Sequence, residues 1–215
     1  AAVLDLLGDG SVPRRLRGDV IVPLGNGEPV TVLDALEAAG EALTSVRVHQ
    51  MHALHDRAYL HGAYHGRLDH VSYFLSNVTR PCATAGTIEL VPCDFSDVPR
   101  LLRGLERPLL VAASVSPPDR HGYVTLGTNS DYAASFIGQS PFFVEVNARM
   151  PRTFGRNQLH VSQLAGWCEA DRDLVEVPPE RPDDVQQRIP VSKGDLPGRT
   201  IRFAIDQPSF PGVGS

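Results

Sequence analysis

The chain has 215 residues, enough for one large domain or two small ones around a sizeable core. Hydrophobic residues make up 42% and charged residues 21%, the balance expected of a soluble globular protein. The formal net charge is -5, and no basic run exceeds Arg14-Arg15-Leu16-Arg17, which speaks against a nucleic-acid surface.

Taken in chain order, short β-rich runs alternate with helical or loop segments. Residues 19–23 read as a strand, followed by the turn Leu24-Gly25-Asn26-Gly27-Glu28-Pro29. A helix is expected next. Thr31 with Asp34 three residues on resembles a capping box, and Leu33, Leu36 and Leu43 recur at helical spacing. Residues 45–51, 71–75 and 88–93 are further strand candidates. Ser96 is placed to cap a short helix that has Pro99 early and Gly104 after it. Residues 108–115 read as a fully buried strand, 129–137 as helix and 142–146 as strand. Strands alternating with helices imply an α/β domain, a mostly parallel sheet with helices on both faces. That domain is expected over residues 1–175. Residues 176–198 bring together Pro178, Pro179, Pro182, Pro190, Pro197 and charges, and read as a linker. A last strand over 200–205 and a loop complete residues 199–215.

Three widely spaced cysteines, Cys82, Cys93 and Cys168, form no Cys-x-x-Cys pair and suggest reduced thiols in a cytoplasmic protein. The start Ala1-Ala2-Val3-Leu4-Asp5 has no basic n-region or long apolar run, so no secretory signal is expected there. The longest apolar run, residues 109–115, is too short to span a bilayer.

In open α/β sheets, ligands bind outside the carboxyl ends of the strands. Two loops fit. Gly25-Asn26-Gly27-Glu28-Pro29 lies between a strand and a helix, where glycines permit close backbone approach and a helix start favours an anion. Its spacing is neither a dinucleotide fingerprint nor a P-loop, and a plain tight turn is the alternative. The second loop, from Ser114 to Tyr123, contains Ser116, Pro117, Pro118, His121 and Gly122, with Thr128, Asn129, Ser130 and Asp131 close behind. Here the alternative is a structural crossover. Glu28 and Glu145 are the in-chain carboxylates considered as nucleophiles; helix capping is the competing role for Glu28 and a structural one for Glu145. His49, His52, His55, His61, His65 and His70 crowd 22 residues, but strand alternation would put His49 and His52 on opposite faces. Polar loop histidines are therefore expected, with no metal site.

Several motifs resemble those of the acetyl-CoA hydrolase/CoA-transferase family, 4-hydroxybutyrate CoA-transferases included. One is Ser116-Pro117-Pro118-Asp119-Arg120-His121-Gly122-Tyr123 through Gly127, then Asp131-Tyr132. Another runs from Glu145 and Asn147 through Met150-Pro151-Arg152 to Gly155, then His160 and Ser162. A third is His70-Val71-Ser72-Tyr73-Phe74 with Asn77, Thr79 and Arg80, continued by Val91-Pro92 and Val98-Pro99-Arg100. The resemblance implies a NagB/CoA-transferase-like α/β fold, with Asn77, Met150 and Arg152 near the two loops. It implies acyl-CoA and a carboxylic acid as substrates, coenzyme A as a substrate moiety and no permanently bound cofactor. Members of the family are built from two similar halves and carry a nucleophilic glutamate in the second. No residue here matches that glutamate, so a second half is expected, as a separate chain or as further residues of the same protein, with homodimerisation as the alternative. Near the chain's end, Pro190 and the run from Ala204 to Pro208 depart from the family pattern. Two further functions stay open: a non-catalytic binding or scaffold domain of the same fold, and a histidine-rich metalloenzyme. Neither the acyl group nor the choice between transfer and hydrolysis can be read from these residues.

Overall fold

A computed structural model describes residues 16–107 and 109–177. The described residues up to Val175 belong to one compact unit. The expected linker from residue 178 onward, and the expected strand over 200–205, lie outside the described residues.

The centre is a seven-stranded, wholly parallel sheet. Its strands are β1 (Leu16–Val22), β2 (Leu43–Gln50), β3 (Leu68–Ser72), β4 (Glu89–Leu90), β5 (Leu109–Val115), β7 (Phe142–Asn147) and β9 (Leu164–Ala170). A separate antiparallel pair joins β6 (Tyr123–Thr125) to β8 (Gln158–His160). The order across the sheet is β4-β3-β2-β1-β5-β7-β9. The chain therefore builds outward from β1 to one edge, then restarts at β5 on the other side of β1. Burial follows position. Residues 110–115 of β5 are all buried, as befits a strand covered on both faces, whereas β9 at the edge exposes every second residue.

Among the described residues, three short α-helices and six 3-10 segments connect the strands. The α-helices are α1 (Val30–Ala38), α2 (Thr79–Ala85) and α3 (Val98–Arg103). Val32, Leu33 and Leu36 of α1 pack with Cys82 of α2 on Val20, Val22, Val46, Val48, Leu110 and Ala112. Val98 and Leu102 of α3 pack with Tyr132 and Phe136 on Ile21, Val71, Val111, Ala113 and Val144. Adjacent residues of one strand thus feed two cores on opposite faces, and the expected two-faced parallel α/β class holds.

Local expectations need five corrections. Thr31 and Asp34 make no capping box: α1 begins at Val30, the Thr31 N–H donates to Glu145 Oε2 on β7 at 2.5 Å, and Asp34 pairs with Arg57 instead. Leu43 begins β2 and is not helical, because Gly40 opens a 3-10 turn between them. Ser96 caps nothing; it sits inside a 3-10 turn, and Asp97, bridged to Arg100, precedes α3. The strand expected over 88–93 shrinks to Glu89–Leu90, since Pro92 has no N–H to continue the ladder. Residues 129–137 yield only a 3-10 segment, Tyr132–Phe136, started by Asp131 accepting from the Ala133 N–H. Ser135 there donates to the Tyr132 carbonyl, a local bond of the kind that competes with helix. All three cysteines are free. No helix among the described residues is long and apolar enough to cross a membrane.

Candidate active site at the carboxyl end of the sheet

The strand order reverses between β1 and β5, and the glycine turn and the Ser116 loop leave the carboxyl ends of these two neighbours. A crevice at such a reversal is where open α/β sheets take ligands. The glycine turn is a short 3-10 segment, Gly25–Gly27, and Gly25 has φ +58°, a conformation costly for residues with a Cβ. At Gly27 the constraint is space. An added Cβ would lie 2.6 Å from Pro23 Cβ and 2.9 Å from Asn129 Cβ. The turn is pinned from three directions. The Leu24 N–H donates to Asp131 Oδ2 at 2.8 Å, the Gly25 N–H donates to the His52 carbonyl at 3.1 Å, and Tyr132 Oη donates to the Val22 carbonyl. Burial pushes the Asp131 carboxyl up to about 6, against the opposing pull of the Ala133 and Leu24 N–H donors.

Glu28, at the end of this turn, does not cap α1; Pro29 occupies the cap position. Its side chain has no exposed surface. Oε2 accepts from the Leu54 N–H at 3.1 Å and lies 2.8 Å from His55 Nδ1, while Oε1 has no hydrogen-bond partner. Asn26 is also engaged. Its amide donates to the Val175 carbonyl at 3.0 Å and accepts from the Val175 N–H at 2.8 Å, holding the segment after β9 against the glycine turn. Along that segment the Arg172 guanidinium donates to Thr31 Oγ1 at 2.8 Å, and Asn147 bonds both the N–H and the carbonyl of Arg172.

The second loop is built around buried Ser116. Its hydroxyl accepts from the Thr125 N–H at 3.0 Å and the Thr125 hydroxyl at 3.1 Å, tying β5 to β6. Pro117 and Pro118 are exposed. Asp119 closes the turn by accepting from the His121 and Tyr123 N–H groups, both at 2.9 Å. Those donors hold its carboxyl below the usual range, and Arg152, donating at 2.8 Å, adds to this. Gly122, at φ +82°, faces His160, where a Cβ would come within 2.9 Å of Nε2.

Met150 is buried against Gly127, and Thr128 donates weakly to its sulphur at 3.8 Å. Asn129, next along, packs on Gly25 and Gly27. A continuous line of contacts therefore links Met150 to the glycine turn, and Arg152 joins the Ser116 loop. Asn77 is different. It is exposed in the turn after β3, and among the described contacts none joins it to either loop. Beside Pro118 the surface is hollow. A depression of about 470 Å³ is lined by Pro117, Pro118, Val146, Ala148 and Glu169. It adjoins a more apolar one of about 230 Å³ between Pro118, Val124, Val161, Leu164 and Trp167.

The histidines scatter. His49 is buried in β2, bonded to Tyr73 Oη at 2.8 Å, with Nε2 3.3 Å from Asp19. His70 is buried against Tyr59, and burial pushes its ring down to about 3. His52 lies beyond the strand end, near Phe74. His61 pairs with Asp56 at 2.6 Å and His65 with Asp69 at 3.2 Å. His61 Nδ1 is 3.7 Å from Cys82 Sγ, but burial pushes that thiol up, away from the thiolate a nucleophile needs. Among the described residues, no three His, Cys, Asp or Glu side chains converge as a metal-ligand set. Sequence reasoning missed the contacts of Asn26 with Val175 and of Glu28 with His55. No local spacing signals either, because their partners are 149 and 27 residues away.

Residues 19–183 match the family model described as the acetyl-CoA hydrolase/transferase N-terminal domain. The chain is 30% identical over 183 residues to the 4-hydroxybutyrate coenzyme A transferase of Clostridium kluyveri, across 83% of this chain and 43% of the relative. It is 32% identical over 164 residues to the succinyl-CoA:cyclohexane-1-carboxylate CoA transferase of Geobacter metallireducens, across 74% of this chain and 37% of the relative. RipA from Yersinia pestis superposes with a TM-score of 0.70 at 26% identity, over 76% of this chain and 41% of that one. A 4-hydroxybutyrate CoA-transferase from Porphyromonas gingivalis gives a TM-score of 0.64 at 26% identity, over 84% of this chain and 40% of that one. The chain spans about two-fifths of the length of these relatives.

Proposed function

Because the chain belongs to the acetyl-CoA hydrolase/CoA-transferase family, we propose that it is the amino-terminal half of a CoA-transferase or acyl-CoA hydrolase, completed by a second half that carries the nucleophilic glutamate. The observation that carries this reading is the placement of the glycine turn and the Ser116 loop at the β1/β5 reversal, the position where this architecture takes ligands. The backbone of Gly25 to Gly27, where no side chain fits at Gly27, lets the acyl carbonyl approach closely. Pro117, Pro118 and the apolar hollow beyond them receive the acyl or pantetheine chain, and Met150 and Arg152 hold the two loops in register. Coenzyme A enters as part of the substrate, and the co-substrate is a carboxylic acid. The covalent step belongs to the second half, whose carboxylate attacks the thioester carbonyl. Glu28 is a poor substitute, because its side chain is wholly buried and one oxygen is already engaged by Leu54 and His55.

The test is exchange of label between an acyl-CoA and a free carboxylate. The 215-residue chain is expected to be inactive alone and to gain exchange when a glutamate-bearing half from the same source is added, eluting with it as a stable assembly. Robust exchange by the isolated chain would refute the need for a second half. Absence of exchange from the assembly would refute the CoA-thioester reading itself.

A further inference from the structure

Four histidines among the described residues lie against a carboxylate, and one pair differs from the rest. In His61–Asp56 and His65–Asp69 the histidine is mostly exposed (56% and 85%) and the carboxylate is solvated (69% and 32%), as in ordinary surface pairs. In His49–Asp19 both groups are buried, the ring at 2%, beyond reach of any substrate. Only Glu28–His55 joins a carboxylate with no exposed surface to a ring that is 37% exposed. Glu28 Oε1 is also buried without a partner. Buried polar atoms are nearly always satisfied, so an orphaned carboxylate oxygen calls for a functional account.

With Glu28 ionised, its carboxylate can only accept, and the 2.8 Å contact then takes the proton of His55 Nδ1. The free lone pair then sits on Nε2, which has no partner among the described residues and is not buried. The pair is held at the crevice. Glu28 closes the glycine turn, its N–H donating to the Gly25 carbonyl, and the Gly25 N–H holds the His52 carbonyl of the loop that bears His55. A base oriented by a buried acid, with its second nitrogen turned outward, is the arrangement that general-base chemistry requires.

We propose that His55 is a general base that activates water beside the glycine turn, with Glu28 as its positioning residue, giving this site a hydrolytic branch. The proposal rests on the CoA-thioester reading above. Water oxygen bonds to the thioester carbonyl carbon as His55 Nε2 takes its proton. The carbon–sulphur bond then breaks, its electron pair leaves on sulphur, and the imidazolium returns the proton to the thiolate. Thioester and water become carboxylic acid and thiol, with nothing else consumed.

Two experiments separate this proposal from the reading beneath it. In the first, the 215-residue chain alone is assayed on p-nitrophenyl acetate, an activated ester that needs neither coenzyme A nor a second half. His55→Gln is expected to lower hydrolysis by at least about tenfold. Glu28→Gln should lower it as well, and exposed His65→Gln should leave it unchanged. Side-chain ¹⁵N NMR on the same proteins should place the neutral His55 proton on Nδ1 and lose that preference in Glu28→Gln, a change that a purely structural role for Glu28 would not produce. In the second, the assembly with the glutamate-bearing half is given an acyl-CoA, and His55→Gln should reduce release of free acid while sparing transfer to a labelled carboxylate. Ester hydrolysis indifferent to His55→Gln, a proton on Nε2 in the wild type, or equal loss of hydrolysis and transfer would each overturn the proposal. Should Glu28→Gln fail to fold, the half-exposed His55→Gln still decides it. An assembly inert toward acyl-CoA, with a His55-dependent esterase intact, would sink the CoA reading and leave the base.

Discussion

Asp19 has no exposed surface, yet it carries its charge in the middle of the sheet. Burial alone would raise its pKa. Hydrogen bonds and charge from His49 and Arg47 outweigh that and bring it down to about 2. Arg47 grips both oxygens, at 2.8 and 3.0 Å, and Arg107 stands 3.5 Å away. The folded pKa lies below the unfolded value of about 3.9, so the stabilisation is complete above pH 4 and lost as pH falls toward 2. A depression of nearly two pH units corresponds to about 2.5 kcal/mol. Asp19→Asn should therefore lower stability at neutral pH by about that amount and flatten the acid limb between pH 4 and 2. Urea titrations across that range check it, and parallel acid limbs in wild type and variant would contradict the assignment. At the same scale, the candidate site is legible only in part. Gly25 and Gly27 are visible as a turn because glycine punctuates sequence. Nothing along the chain marks Glu28 as the partner of His55.

Among the elements, α1 shows how tertiary contacts replace local capping. It has nine residues, no acidic side chain in its first turn and no side-chain cap of its own. Glu145, in β7, supplies both missing features from across the sheet, accepting the Thr31 N–H and placing a negative charge at the positive end of the helix. Glu145→Ala should cost about 1–2 kcal/mol, since a part-buried donor loses its partner, and Glu145→Gln should recover part of that. Thermal melts measure the loss, and hydrogen exchange at Thr31 and Val32 should rise in the alanine variant. A melting temperature unchanged by Glu145→Ala would show that water serves the helix end as well. The Thr31/Asp34 expectation failed for this reason: a pattern within four residues cannot register an acceptor 114 residues away. Strands β1, β5 and β7 were legible because they are strongly apolar. β6 and β8 have three residues each, too few for a period to emerge.

Over the described residues, the seven-stranded sheet separates two cores. Leu36 sits in the core under α1, Leu102 in the one under α3, and both are fully buried. Val20 and Ile21, adjacent in β1, point into different cores, so neither core can loosen without disturbing the strands that carry the other. Leu36→Ala and Leu102→Ala should each cost about 2–5 kcal/mol. Each is expected to move a single unfolding transition, seen alike by circular dichroism and by Trp167, the only tryptophan. Separate transitions by the two probes would show that the faces unfold independently.

Composition, the apolar strands and the order of the motifs were enough to establish the α/β class, the parallel sheet and the family. Those properties reside in local hydrophobic patterning and in short stretches of adjacent residues. The placement of β1 beside β5 was not legible, and neither were the capping of α1 by Glu145, the strap from Asn26 to Val175 or the pairing of Glu28 with His55. Each joins residues far apart in the chain. Such contacts form only once burying two apolar faces on one sheet has brought the strand ends together, and no periodicity along the sequence encodes that distance.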